Sequence, residues 1–386
     1  MIYLDYAATA PLRPQAQKAL EELLAEPLGN PSSLHRAGQR ARNLLNRSRL
    51  EVAEAFSVAP DEVIFTSGGT ESIDLALKGV TLAASGQPCH IVTTASEHHA
   101  VLETARFLEG RGVSVTYLPV DREGRLSPQQ LQEALRPETV LVSVQWVNNE
   151  TGTVQPIAEL GEVAHAAGAL FHTDAVQAVG HFPIDLSRTP IDLLSFSAHK
   201  FGGPKGVGAL LKKRQVRLVP TLNGGKQERR QRAGTENVAG IVATAKALQA
   251  ALQTSAEETE RVAQLREVLC RILEQQSVGF RVNGSADTLP HILNLTFFGI
   301  NAESLLIALD LAGIAASAGA ACSAGAIEPS HVLRAMGMPK EEINASIRVS
   351  LGYATTRSEI KRAAYQMVAS IQQLKESKST SVEIDA

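Results

Sequence analysis

The sequence is poor in cysteine and contains no long apolar run. Its three cysteines, Cys89, Cys270 and Cys322, lie far apart among 386 residues. This spacing excludes a disulfide framework and the paired motifs of zinc sites, so we expect a reducing, cytoplasmic environment and no metal. No run approaches the ~18 apolar residues that cross a bilayer, and the N-terminal MIYLDYAATAP lacks signal-peptide features, so we expect no membrane association.

The sequence also lacks a strong charge of either sign. The formal net charge is −3, which gives no electrostatic basis for binding nucleic acid or an anionic membrane. The densest basic stretch, GGKQERRQRAG (224–234), is short and interrupted. It fits a solvated loop as well as a phosphate-binding or interface segment, and the sequence leaves both readings open.

Short apolar runs alternate with helical patterns between residues 60 and 215. The predicted strands are 61–65, 90–94, 113–120, 139–147, 169–175, 192–197 and 206–213. The predicted helices between them are 70–80, 97–110, 127–135 and 157–168. This alternation predicts an α/β fold whose mostly parallel sheet is covered by helices on both faces.

The pattern changes after residue 238. A long helix is predicted over 238–277, followed by strands at 292–297 and 346–351 and helices at 302–312 and 357–375. We therefore expect a large domain over 15–255 and a smaller α+β domain formed by 1–14 and 256–386. The polar residues 375–386 predict a disordered tail.

Polar residues follow several predicted strands, at the edge of the sheet where α/β proteins bind ligands. TSGGTES (66–72) offers free backbone N–H groups at a helix start, which suits a phosphate, although a plain glycine turn fits too. Asp174 and Lys200 end two further strands; each alone is explained by a helix cap or an extended surface lysine. Together, the three features match the needs of pyridoxal phosphate: an amine to bind its aldehyde, a carboxylate for its ring nitrogen and a phosphate site.

A set of motifs in a fixed order strengthens this interpretation. They are YLDYAATAP (3–11), GNPSSLHRAG (29–38), TSGGTES (66–72), SEHHAVLET (96–104), VNNETGTVQPI (147–157), HTDAVQAVG (172–180), SFSAHKFGGPKGVGAL (195–210), RAGTEN (232–237), ACSAGAIEPSHVL (321–333) and IRVSLG (347–352). In these motifs the chain resembles the cysteine desulfurases of the NifS/IscS type, in the class V aminotransferase group of pyridoxal-phosphate enzymes. The resemblance implies the PLP-dependent transferase fold type I.

The resemblance also implies roles for individual residues toward the cofactor. Lys200 would form the Schiff base, Asp174 would face the pyridine nitrogen, and His98 would stack on the ring and move protons. The remaining cofactor-binding positions implied are Gly69, Thr70, Asn149, Gln177, Ser197 and His199, with Thr235 reaching the phosphate of the neighbouring subunit. Thr235 therefore implies a homodimer with a shared active site.

The substrate would be L-cysteine, held through its carboxylate by Asn149 and Arg348, with Asn30 assisting. Arginine suits this task because its planar guanidinium pairs with a carboxylate through two hydrogen bonds. Cys322 lies in a run of small residues, AASAGAACSAGA. From this pattern alone, an incidental thiol in a turn fits as well as a functional one. The resemblance implies that it takes up sulfur as a persulfide while alanine leaves.

The sulfur would then pass to an acceptor protein, such as an iron–sulfur scaffold or a thiolation partner. Two alternatives share the same cofactor chemistry, a selenocysteine lyase and another class V aminotransferase-type enzyme. A non-catalytic sulfur-carrier scaffold belongs to a different class, and a buried Lys200 with Asp174 and His98 argues against it. The acceptor and the preference for sulfur or selenium are not encoded in these patterns.

Overall fold

The computed structural model describes residues 1–84, 87–318 and 329–384, so Cys322 lies outside the described residues. The strands are β1 Ile2–Tyr3, β2 Val63–Thr66, β3 His90–Thr94, β4 Ser114–Leu118, β5 Thr139–Ser143, β6 Leu170–Asp174, β7 Leu193–Ser197, β8 Gly208–Lys212, β9 Phe280–Asn283, β10 Ile292–Phe297, β11 Ile314–Ala315 and β12 Ser346–Ser350. The helices are α1 Pro14–Leu24, α2 Arg36–Ala55, α3 Gly69–Ala83, α4 His99–Glu109, α5 Pro128–Ala134, α6 Ile157–Ala166, α7 Val238–Gln275, α8 Ala302–Leu311, α9 His331–Ala335, α10 Lys340–Ile343 and α11 Arg357–Ile384.

A seven-stranded sheet organises the first two thirds of the chain. Its strand order is β2-β8-β7-β6-β5-β3-β4, and only β8 runs antiparallel to its neighbours. Central strands such as β6 and β7 are almost continuously buried, as expected where helices cover both faces. The prediction of an α/β fold with a mostly parallel sheet is confirmed. The sheet directs the carboxyl ends of β2, β3, β5, β6 and β7 toward one edge.

Two smaller sheets involve the chain termini. Strands β12, β10 and β9 form an antiparallel sheet, while the short β1 pairs in parallel with β11. Beyond β1, Asp5 forms a bridge with Ser350, the last residue of β12. The N-terminal segment therefore lies against strands that follow it by more than 300 residues.

The hydrophobic core has two main clusters, and α7 contributes to both of them. Its first half buries residues such as Ile241 and Leu248 against the large sheet. Its second half buries Val262, Leu265 and Leu269 in a cluster with β10, β12 and α11, which also contains Leu4. This distribution supports our proposal that the large domain ends near residue 255, within α7, and that residues 1–14 belong to the small domain.

Several elements differ from the sequence-based assignment. The helices α1 and α2 were not assigned, and α11 is helical to Ile384, through most of the segment for which a disordered tail is predicted. Strand 139–147 ends at Ser143, although the N–H of Trp146 still donates to the carbonyl of Asp174. None of the described helices is both long and apolar enough to cross a membrane.

The basic stretch 224–234 is fixed by a buried ion pair. Arg49 donates to both carboxylate oxygens of Glu228, at 2.7 and 2.5 Å, and the N–H of Phe65 donates to the same carboxylate. Glu228, Arg229 and Arg230 all have left-handed backbone angles, with φ of 42°, 55° and 66°. Because such conformations are unfavourable for residues with side chains, the buried pair has to hold this turn in place.

Replacing Glu228 by alanine should lower the free energy of unfolding by about 3–5 kcal/mol, because it leaves the Arg49 charge buried without a counter-ion. Urea denaturation measures this loss. As a control, alanine at Asp287, whose side chain is 72% exposed beside Arg125, should cost less than about 1 kcal/mol. Equal losses in the two variants would contradict a structural role for the Arg49–Glu228 pair.

Candidate active site

A cleft of about 650 Å³ opens at the carboxyl edge of the large sheet. Its walls come from the turns that follow β2, β3, β5, β6 and β7, together with the N-terminal segment and β12. It brings together most of the predicted site residues: Gly69, Thr70, His98, Asn149, Asp174, Gln177, Ser197, His199, Lys200 and Arg348. The predicted residues in this cleft are therefore separated by up to 279 positions in the sequence, from Gly69 to Arg348.

Lys200 ends a short 3₁₀ helix directly after β7. Its Nζ donates to the carbonyl oxygens of Ala7 at 2.6 Å and of Ala8 at 3.0 Å. Burial, followed by the nearby charge of Arg348, lowers the pKa of Lys200 to about 8, although Asp174 and Asp5 act in the opposite direction. The amine is therefore held in a defined place and can lose its proton near neutral pH.

Gly202, two residues after Lys200, is required for the shape of the backbone here. Gly202 has a φ of +87°, and its carbonyl accepts from the N–H of Arg13 at 2.8 Å. A Cβ at this position would lie 2.6 Å from Cγ of Arg13. Glycine therefore allows the chain to turn sharply behind Lys200 and to dock the N-terminal segment.

Asp174 is the last residue of β6 and is only 2% exposed. One of its carboxylate oxygens accepts from the N–H of Val176 at 2.9 Å. Burial raises the pKa of Asp174 to about 6, while that hydrogen bond and Lys200 lower it. Gln177, one turn further along, donates from Nε2 to the carbonyl of Ala7 at 2.9 Å. A buried carboxylate facing a cleft requires a cationic partner there.

The start of α3 also lines the cleft. Gly69 opens this helix, so unpaired backbone N–H groups lie beside Thr70, Ser197 and His199. A Cβ on Gly69 would approach Cγ2 of Val176 to 2.6 Å, so only glycine allows the helix start and the turn after β6 to meet this closely. The Nδ1 of His199 lies 3.1 Å from Oγ1 of Thr9. Together these groups can bind an anion.

His98 precedes α4 and presents its ring to the cleft. Its Nδ1 accepts from the N–H of Ala100 at 3.1 Å, which leaves Nε2 as the protonated nitrogen of the neutral ring. Desolvation by the surrounding protein, followed by the charge of Lys200, lowers the pKa of His98 to about 4. The ring is therefore neutral at physiological pH and offers an apolar face to a bound planar group.

Arg348, on β12, carries a buried cation into the cleft. Its Nη1 donates to the carbonyl of Asn149 at 2.8 Å, and its Nη2 donates to Oδ1 of Asp5 at 2.9 Å. Its Nε is buried and has no acceptor within the described residues. The guanidinium thus keeps donors available for a carboxylate, and its role toward the substrate stays a prediction.

Several residues of the site were not identified from the sequence. Glu97 is buried beside His98; burial, and to a lesser extent the charge of Asp174, raise its pKa to about 8. Glu150 is buried and accepts from the hydroxyl of Ser330 at 2.5 Å. The ring of His331 lies 4.5 Å from that of His99 and contacts the carbonyl of Glu97 through Nε2. All come from motifs quoted above, but no spacing rule distinguishes them within those motifs.

Three of the predicted site residues are not among the described residues that line this cleft. Asn30 is exposed, and its side chain accepts from the N–H of Ser32. Thr235 is also exposed, so its role toward a neighbouring subunit stays a prediction. Cys322 lies outside the described residues. Cys89 and Cys270 are free and partly buried, and burial raises the pKa of both thiols.

The lowered pKa of Lys200 predicts how its reactivity depends on pH. Since only the neutral amine is nucleophilic, acylation of Lys200 in the cofactor-free chain should increase through about pH 8 and then level off. Competitive labelling with isotopic acetic anhydride, mapped by mass spectrometry, measures this profile against Nα-acetyl-lysine, which should level off above pH 10. A midpoint equal to that of the free amino acid would contradict the desolvated setting described for Lys200.

Known proteins resemble this chain over nearly its whole length. The aminotransferase class-V family model matches residues 2–363. The cysteine desulfurase IscS of Dictyoglomus turgidum is 47% identical over 360 residues, covering 93% of this chain and 91% of that protein. A solved NifS-like protein superposes with a TM-score of 0.91 at 34% identity, covering 97% and 100% of the two chains. The structure of SspA in complex with cysteine has a TM-score of 0.82 at 35% identity, with coverage of 91% and 99%.

Proposed function

This chain belongs to the cysteine desulfurases of the aminotransferase class V family, and we propose that it converts L-cysteine to L-alanine with pyridoxal phosphate, passing the sulfur to Cys322 as a persulfide. The observation that carries this proposal is the position of Lys200. Its amine lies in the same cleft as a buried carboxylate, Asp174, and an anion-binding helix start at Gly69.

The residues of the cleft fit pyridoxal phosphate chemically. The N–H groups at the start of α3, with Thr70, Ser197 and His199, would hold its phosphate, and Lys200 would bind its aldehyde. Asp174, whose burial requires a cationic partner, would pair with the protonated ring nitrogen. When bound, the cofactor supplies an electron sink that stabilises negative charge at the substrate Cα.

The protein would contribute binding, orientation and proton transfer. Arg348 would hold the substrate carboxylate through its free donors, supported by Asn149. Lys200, once displaced, would remove the Cα proton as a neutral amine, and the carbonyls of Ala7 and Ala8 would hold the resulting ammonium group. His98, with its protonated Nε2 toward the cleft, would return a proton to the departing product.

The sulfur-transfer partners of the chain are also part of the proposal. A thiolate at Cys322 would attack the substrate sulfur while the Cβ–S bond breaks, and the carbon fragment would keep that electron pair, take up a proton and leave as alanine. The persulfide would pass to an acceptor protein such as an iron–sulfur scaffold. We propose a homodimer in which Thr235 completes the neighbouring site, a role that suits its exposed position. We also propose a reducing, cytoplasmic location, because the reaction requires Cys322 as a free thiol.

Intact mass spectrometry after incubation with L-cysteine tests the proposed function. We expect the mass of added sulfur on the full-length protein, removable by a thiol reductant, and we expect peptide mapping to place it on Cys322. L-serine, which lacks the sulfur, is the matched control and should add nothing. Formation of alanine and free sulfide without any sulfur adduct would instead favour a lyase activity, and loss of the amino group with the carbon–sulfur bond intact would favour an aminotransferase.

A further inference from the structure

Asp5 is a charged residue close to the cleft that the proposed mechanism does not use. It follows β1 and is not among the residues that line the cleft, yet its carboxylate accepts from Nη2 of Arg348 at 2.9 Å. Arg348 is 4% exposed, so its cation is removed from bulk water. A cation buried in this way requires a counter-ion, and Asp5 provides it from behind.

The backbone holds Asp5 firmly in this position. Asp5 forms a bridge with Ser350, two residues beyond Arg348 on the same strand. The N–H of Ser350 donates to the carbonyl of Leu4 at 2.8 Å, and its hydroxyl accepts from the N–H of Ala7 at 2.9 Å. Because these bonds lie on both sides of Asp5, they fix its backbone beside β12 and keep its carboxylate within hydrogen-bond reach of Arg348.

The hydrogen bonds of Arg348 leave a defined set of donors for a ligand. A guanidinium has five N–H groups; one donates to the carbonyl of Asn149 and one to Asp5. The Nε–H is buried without an acceptor in the described part of the chain. A substrate carboxylate can therefore bind without displacing Asp5, and the two carboxylates then share one cation.

The charges around the cleft extend this argument. Asp5 is the carboxylate hydrogen-bonded to Arg348, and buried Glu150 also interacts with the charge of Arg348. Glu71 and Lys205 line the cleft as well. A substrate carboxylate on Arg348 therefore shares that cation with Asp5, and a second carboxylate on the ligand would add a further repulsion from Asp5.

We propose that Asp5 is a positioning residue that neutralises Arg348 and thereby selects amino acids with a single carboxylate. This inference rests on the proposed function, because it takes Arg348 as the binding site for the substrate carboxylate. Asp5 limits the affinity of that site for anions, so that a monocarboxylate product such as alanine can leave. It acts through Arg348 and does not itself touch the substrate.

Asp5→Asn tests the proposal, because asparagine keeps an oxygen acceptor for Nη2 and removes the charge. The probes are propionate, which has one carboxylate and neither amine nor thiol, and succinate, which has two. With the full-length holoenzyme in calorimetry at low salt, Asp5→Asn should bind propionate roughly tenfold more tightly and succinate with a larger gain. Asp185→Asn removes an exposed carboxylate that lies outside the cleft and should change neither affinity.

The double variant Asp5→Asn with Arg348→Lys shows whether the effect passes through Arg348. We expect the gain caused by Asp5→Asn to disappear in the Arg348→Lys background. Propionate binding that is unchanged or weaker in Asp5→Asn would overturn the proposal, since it would make Asp5 a structural support alone. Because propionate binding requires no turnover, a failure of the wild-type enzyme to release sulfur from cysteine would refute the proposed function separately.

Discussion

Replacing Lys200 by alanine should abolish the conversion of cysteine to alanine, with a loss of about 10⁴-fold or more. The change removes both the amine that binds the cofactor covalently and the base that removes the Cα proton. Alanine formation measures the loss of turnover. The visible absorption of the covalent link to the cofactor should disappear in the same protein.

Two further variants separate this chemistry from folding. Lys200→Arg keeps a cation that can donate to the carbonyls of Ala7 and Ala8, so the protein should stay folded and remain inactive. Lys213→Ala removes the lysine directly after β8, away from the cleft, and should keep both activity and colour. Substantial turnover by Lys200→Arg, or a cofactor adduct mapped to another lysine after hydride reduction, would refute the assignment of Lys200.

Replacing Cys322 by alanine should eliminate the persulfide and lower sulfur release from cysteine by about 10³-fold or more, because no thiolate remains to attack the substrate sulfur. The visible absorption of the cofactor linked to Lys200 should persist. Sulfide and alanine assays measure turnover, and absorbance confirms that the cofactor site is intact. This combination of lost transfer and retained colour distinguishes Cys322 from every residue that holds the cofactor.

The other two cysteines provide internal controls for this experiment. Burial raises the thiol pKa of both Cys89 and Cys270, so neither forms the reactive thiolate readily. Alanine at either position should preserve sulfur transfer. If the sulfur mass in the wild-type protein mapped to Cys89 or Cys270, the role proposed for Cys322 would be wrong.

The sequence allowed the cofactor end of the site to be predicted because one physical rule connects its residues. Asp174 ends a strand, Lys200 and the glycines before Thr70 follow strands, and the carboxyl ends of parallel strands meet at one edge. Their mutual proximity could therefore be inferred without any knowledge of long-range contacts. The fold class was predictable for the same reason, since the alternation of strands and helices is a local pattern.

The N-terminal part of the site could not be predicted in this way. The contacts of Lys200 with Ala7 and Ala8, and of Arg348 with Asp5, join segments separated by 193 and 343 residues. They depend on the pairing of β1 with β11 and on the bridge between Asp5 and Ser350, and two-residue strands leave almost no periodic signal. Glu97 and His331 were missed for a related reason, since their roles depend on tertiary neighbours rather than on spacing.

The docking of the N-terminal segment has a consequence for biosynthesis. Residues 2–7 are translated well before their partners on β11 and β12, the last of which is Ser350. At about 5–20 residues per second, the ribosome needs roughly 20–70 s to add the residues between them. Until then the strand pairing that holds the N-terminal segment beside Lys200 cannot form, so this part of the site is completed only after Ser350 has been translated.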